Sequence, residues 1–161
     1  MDESYELTRK KGISAVNTAV VSKAVGCSVQ PIYSYFKNMD DLKTAIYEKA
    51  MDEFMERANK AEHDFYESVL EYVRFASDEK KLFSLLFLAD GMIFSEKDRI
   101  SGKSGAHSVF INILHGEEKN KTAFDLFIFA HGLASLIAND KLLFEELSLE
   151  EYMEQIKHKL I

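Results

Sequence analysis

Between Ser28 and Phe36 the chain sets out hydroxyl, amide and phenol groups in close succession: Ser28, Gln30, Tyr33, Ser34 and Tyr35. Val29 and Pro31 lie between them and Lys37 just beyond. Groups of these types suit recognition of duplex DNA. A carboxamide pairs two-pronged with a base edge in the major groove, whereas hydroxyl and ammonium groups meet phosphates. At helical spacing Val29, Gln30, Pro31, Tyr33 and Ser34 share one side, and Ile32 and Phe36, four apart, the other. The expectation is that Gln30, Pro31 and Tyr33 approach base edges while Thr18, Tyr35 and Lys37 contact phosphates.

The other chemistry the side chains offer is acid-base or metal-assisted catalysis, through His107, His115 and His131 with Asp90. No H-E-x-x-H, cysteine pair, P-loop or G-x-S-x-G accompanies them, and the histidines fall in separate helical segments without ligand spacing. The expectation is a protein that is no enzyme and needs no cofactor or metal. Cys27, the single cysteine, excludes an intrachain disulfide and suits a small apolar slot at a turn.

The elements that must position the first group are legible around it. Val20, Val21, Ala24 and Val25 form one apolar face of a short helix that should stop at Gly26. Ser28 is placed to cap a second helix by accepting the amide of Gln30, and Pro31 falls in the first turn, where its missing N–H costs nothing. Ile32 and Phe36 would pack back on Val21 and Val25. Asn38, with Asp41 three residues on, should cap a third helix carrying Leu42, Ile46, Ala50, Phe54 and Ala58 along one stripe. An earlier helix is expected from about Ser4 to Lys11, ending in Arg9, Lys10 and Lys11. This is the grammar of a helix-turn-helix reader. Spacing alone equally fits a helical hairpin whose turn is a packing corner.

The run from Gly12 through Leu42, most closely VVSKAVGCSVQPIYSYFKNMDDL, resembles the DNA-binding domain of the TetR (tetracycline-repressor-like) family of transcriptional regulators. Turn glycine, capping Ser, aromatic doublet and acidic helix start followed by Leu occur in the family's order. Met39 stands where the family commonly carries a Lys that meets a phosphate; Lys37 and Lys43 flank it, and the helix-start amides can also receive an anion. The resemblance implies an N-terminal reader and C-terminal helices enclosing a pocket for a small, mostly apolar effector. Lining residues expected from this chain are Phe83, Phe87, Phe94 and Phe110, with Tyr66 and His107 as polar handles.

Composition agrees with an all-α fold: 47% of the 161 residues are hydrophobic, enough for a substantial core, and a single Pro with seven Gly argues against a turn-rich β fold. The net charge of −7 is uneven. Residues 1–50 hold seven Lys or Arg against six Asp or Glu, so the acid lies mostly beyond them, as suits a specific DNA reader with weak non-specific binding. RNA-binding modules are disfavoured because no RNP-like strand, KH loop or Arg-rich tract is present. Charged opening residues without an apolar h-region, and no apolar run of membrane length, lead to the expectation of a soluble, cytoplasmic chain that engages no membrane.

Further along, an apolar face from Glu62 to Ala76 (Phe65, Tyr66, Val69, Leu70, Val73, Ala76) predicts one helix, with Ser77 placed to cap the next, Leu82 to Ala89. Ser95 to Gly105 has loop composition, Val109 to Leu114 reads as a short helix, and EEKNK, 117–121, reads as a polar linker into a helix from Thr122 to Asn139. A capping box of Ser148 and Glu151 opens the last helix.

Two domains follow: residues 1–48, a three-helix reader, and 49–161, a helical bundle for effector binding and dimerisation. The segment FAHGLASLI also resembles the family's penultimate helix, which commonly pairs across a two-fold axis. With the last helix it nominates Phe127, His131, Ala134, Ser135, Ala138, Leu149, Tyr152, Met153, Ile156 and Leu160 as a homodimer interface. The expected function is a sequence-specific regulator, a repressor released by its effector, bound as a dimer to an inverted-repeat operator. The alternative is a dimeric small-molecule-binding or interaction protein whose DNA binding is weakened.

Overall fold

The computed structural model describes residues 1–25, 36–60, 65–88 and 117–160. Every regular element among them is helical: α1 (Asp2–Lys11), a 3-10 turn (Ile13–Ala15), α2 (Thr18–Val25), α3 (Met39–Lys60), α4 (Phe65–Asp78), α5 (Lys80–Phe87), α6 (Glu117–Ala138) and α7 (Leu149–Leu160). The chain is all-α over this range.

Local signals set the boundaries. Glu3 and Asp2 in the first turn and Arg9, Lys10 and Lys11 in the last complement the dipole of α1, which begins two residues earlier than the Ser4 start expected. It ends at Gly12, whose φ of +84° lies in the left-handed region that favours glycine. Asn17 caps α2, its Oδ1 accepting the Val20 amide at 3.1 Å. Asn38 caps α3 by accepting the Asp41 amide at 2.8 Å, while Asp41 Oδ2 accepts from the Lys37 amide rather than from Asn38 itself. At α7 the capping box is reciprocal: Ser148 Oγ accepts the Glu151 amide at 3.1 Å and Glu151 Oε2 accepts the Ser148 amide at 2.8 Å.

Two expectations are corrected. Ser77 does not cap α5; it is an exposed residue inside α4, and Glu79 holds the cap position without a side-chain bond. The EEKNK segment is no linker but the first turns of α6. No Pro or Gly interrupts it, Glu and Lys are good helix formers, and the two leading glutamates suit a helix N-terminus.

A single core runs through these helices. The expected stripe of α3, Leu42, Ile46, Ala50, Phe54 and Ala58, is buried throughout. It joins Tyr5, Val16 and Val21 at one end and Tyr72, Phe75, Phe83, Phe87 and Met153 at the other. The boundary between residues 48 and 49 therefore falls inside a continuous helix that serves both halves. Helix α4 packs most extensively on α6, and α5 lies against α1, α3, α4 and α6. No helix among the described residues is long and apolar enough to cross a membrane.

Candidate nucleic-acid interface and effector region

The DNA-reading surface expected from sequence is framed by the end of α2 and the start of α3. Ser28, Val29, Gln30, Pro31, Tyr33, Ser34 and Tyr35 lie outside the described residues, as do Gly26 and Cys27. Thr18, Lys37 and Lys43 are described: Thr18 opens α2, Lys37 is exposed before the Asn38 cap, and Lys43 is half-buried one turn into α3. Neither lysine pairs with a carboxylate among the described residues. Further along the same helix every comparable cation is taken up: Lys49 by Asp2 at 2.7 Å, Arg57 by Glu71 at 2.6 Å and Asp78 at 2.7 Å.

Three details modify the expected reader. Val20 is exposed rather than part of the inward face, which Val21 supplies. Phe36 is partly buried against the core. Met39, where a Lys is the common expectation, also packs against that core, so its side chain contributes apolar contact at the helix start.

The expected pocket residues divide. Phe94, His107 and Phe110 lie outside the described residues. Phe83 and Phe87 are buried in an aromatic cluster around Tyr72 and Phe54, with ring centroids 4.9–5.1 Å from Tyr72 and Phe87 5.0 Å from Phe54. Tyr66 turns instead toward α7. Lys157 stands 4.2 Å over its ring, and burial, together with Glu154, pushes its phenol up to about 12. Tyr66, Phe83 and Phe87 all belong to the one buried core.

Sequence reasoning missed the polar centre of this cluster. Tyr72 Oη and His131 Nδ1 lie 2.7 Å apart in a hydrogen bond whose direction the imidazole tautomer sets. Burial pushes the Tyr72 phenol well up and the His131 imidazole down, so both groups are held neutral near pH 7. The available signal was the second apolar row of α4: Tyr72 and Phe75 are both buried, beside the expected row of Tyr66, Val69, Leu70, Val73 and Ala76.

The nominated dimer face requires the largest correction. Ala134 and Met153 have no exposed surface and Ala138 only 4%, because α6 turns Ala130, Leu133, Ala134, Ile137 and Ala138 onto the chain's own core. His131 faces Tyr72. Leu149 and Tyr152 pack on that core as well, with Tyr152 beside Phe129 and Phe144. Ser135 and Ile156 are half-buried, while nothing is described of the side chains of Phe127 and Leu160. A helix apolar on nearly every side must choose one face for its own domain, and α6 chooses the row nominated for a partner. The opposite row is exposed: Ile128 at 54%, Gly132, and Leu136 at 47%, with Leu143 and Leu147 in the following loop. A Cβ placed on Gly132 would meet nothing within 4 Å.

Among the described residues no group of three or more His, Cys, Asp or Glu could hold a metal ion. Compared with known proteins, the chain matches no family model, no curated protein and no solved structure.

Proposed function

We propose that the chain is a TetR-like, DNA-binding transcriptional regulator, a repressor acting as a homodimer and released by a small apolar effector. What supports this reading is the frame around residues 26–35. Helix α2 is described as far as Val25, α3 opens on an Asn38 cap, both are docked in one core, and the two lysines beside that opening pair with no carboxylate among the described residues. The intervening sequence, GCSVQPIYSY, supplies a cap, a first-turn proline and base-reading side chains.

The mechanism is a population shift. An effector that favours one arrangement of the body helices moves α3, which is continuous from the reader into the aromatic cluster through Phe54, and so changes the spacing of two readers. In a symmetric dimer the readers meet successive major-groove faces roughly 34 Å apart. The partner row of α6 in this reading is Ile128, Gly132 and Leu136, with Gly132 allowing close approach.

The test is binding to an operator selected from random duplexes. Gln30→Ala should relax sequence preference at a loss of about 1–3 kcal/mol, whereas Lys37→Ala should weaken all duplexes alike and lower the salt slope. A Gln30→Ala protein with unchanged affinity and preference would remove this helix as the reader. Met39 favours the second reading, a dimeric ligand-binding or interaction protein with weakened DNA binding, because it packs where the family resemblance would place a phosphate-binding lysine. Selection that enriches no duplex would decide for it.

A further inference from the structure

From Leu126 to Asn139 the chain carries no Lys, Arg, Asp or Glu, although 29% of all its residues are charged. His131 is the one titratable side chain of that run, and it faces Tyr72 in the core. The outward row of α6, Ile128, Gly132 and Leu136, is therefore exposed and uncharged over more than two turns. The exposed side of α7 has the opposite make-up. It begins with Glu150, Glu151, Glu154 and Gln155, the composition of a face that water covers.

The loop after α6 is held in place while it displays two leucines. The Lys141 amide donates to the Leu136 carbonyl at 2.8 Å, and Asp140 pairs with Lys80. Leu142 and Phe144 pack on the core, the Phe144 ring 5.4 Å from that of Tyr152. Leu143 and Leu147 are left outside, and Leu143, at 69%, is the most exposed large hydrophobic residue among those described. The loop thus departs from the residue that ends the uncharged row.

We propose that a second copy of the chain covers this surface: two α6 helices cross antiparallel at Gly132 about a two-fold axis, Ile128 of one protomer meets the partner's Leu136, and Leu143 and Leu147 extend the contact past Leu136. The inference rests on the homodimer of the preceding reading but not on its DNA binding, and it leaves the outer face of α7 in solvent. Three features select a second copy. An isologous contact sets a surface against itself, so a charged face would meet its own charge; this row has none to repel, and none to attract a partner chosen by charge. A close helix crossing needs a small residue at its centre, and Gly132 stands midway between Ile128 and Leu136, where a Cβ would meet nothing of its own protomer. The row alone is also small against the about 800 Å² per partner of a stable interface, and the anchored loop supplies the leucines that enlarge it.

Charge gives the contact a direction that can be measured. Two chains of net charge −7 repel at a distance, while the uncharged row has no ion pairs for salt to weaken, so added salt should tighten the dimer. Duplex binding has the opposite salt dependence.

Sedimentation equilibrium of the intact chain tests this without DNA. The dimer dissociation constant should fall roughly two- to ten-fold between about 50 mM and about 500 mM salt. Gly132→Leu should weaken the dimer at least about ten-fold, while its melt in dilute solution, where both proteins are monomeric, stays at or above that of wild type, since leucine is the better helix former. In a Cys27→Ser background, Ile128→Cys chains mixed with Leu136→Cys chains should form disulfides between the two kinds in preference to either kind alone. A monomer throughout the micromolar range overturns both this proposal and the homodimer of the preceding reading, and leaves the DNA-binding half of that reading to operator selection. A dimer that is unchanged by Gly132→Leu, that dissociates as salt rises, or that crosslinks like with like overturns this proposal alone. Should Gly132→Leu fail to fold, the wild-type salt dependence and the crosslinks decide.

Discussion

The aromatic centre around Phe54 and the ion pairs around Glu53 meet α3 at adjacent residues, and they hold it by different physics. Phe54 meets Tyr72, Phe75 and Phe87 edge-to-face at centroid distances of 5.0–6.0 Å, and the hydrogen bond between Tyr72 and His131 lies in the same centre. One residue earlier, Glu53 faces Arg9 and Tyr5 across partly exposed surface. Burial of ring area is non-directional and large; a half-exposed ion pair is directional and small, because water competes for both ions. The centre therefore supplies stability, and the ion pairs supply orientation between α1, α3 and α5.

Removing the ring at the middle of the aromatic centre should have the largest effect. Phe54→Ala is expected to lose about 3–5 kcal/mol in urea denaturation, the range for an aromatic deleted from a closed core. A loss below about 1 kcal/mol would mean the centre is loosely packed. The two faces of α6 sharpen the same contrast. Ala134→Arg places a charge in the core and should unfold the chain, whereas Leu136→Glu should leave the circular-dichroism melt in place and shift only the sedimentation of any dimer.

Smaller effects follow. Tyr72→Phe keeps the ring and removes the bond to His131, for about 1 kcal/mol. Ser148→Ala removes one half of the capping box and should cost about 0.5–2 kcal/mol, read as faster amide exchange in α7.

The smallest change is the most diagnostic. Glu79 has a raised folded pKa, so its favourable contribution is present at low pH and is lost as pH rises through that value. Asp140 and Glu150, lowered by Lys80 and Arg74 respectively, contribute above the ordinary carboxylate range and lose that contribution as pH falls. Glu79→Gln should therefore melt no lower than wild type at neutral pH, and the gap between the two should close on acidification. A neutral-pH melt well below wild type would show that the Arg9 contact outweighs the cost of burying the carboxylate.

Much of the local structure follows from residue type and spacing alone. The stripe from Leu42 to Ala58, the Asn38 cap and the Ser148 and Glu151 box all depend on neighbours within a few residues. Asp140 shows where such reasoning stops. It closes α6 at a φ of +55°, a position glycine or asparagine favours, and its carboxylate is tied to Lys80, a residue remote in sequence.

The face that α6 turns inward was not decided by sequence, because apolar residues surround it and periodicity ranks no face above another. Packing against α4 selected the row through Ala134, whose small side chains let the two helices approach. Tyr72, Phe75 and His131 were likewise assigned to the centre by contacts among three helices, and Arg9 to its junction by carboxylates from positions 6, 53 and 79. The sequence by itself determined where helices start, stop and carry apolar stripes, since those are short-range matters of capping and period. Which stripes meet, and which charges share a partner, only the tertiary structure decided, because burial and Coulomb attraction act between groups that distance along the chain does not order.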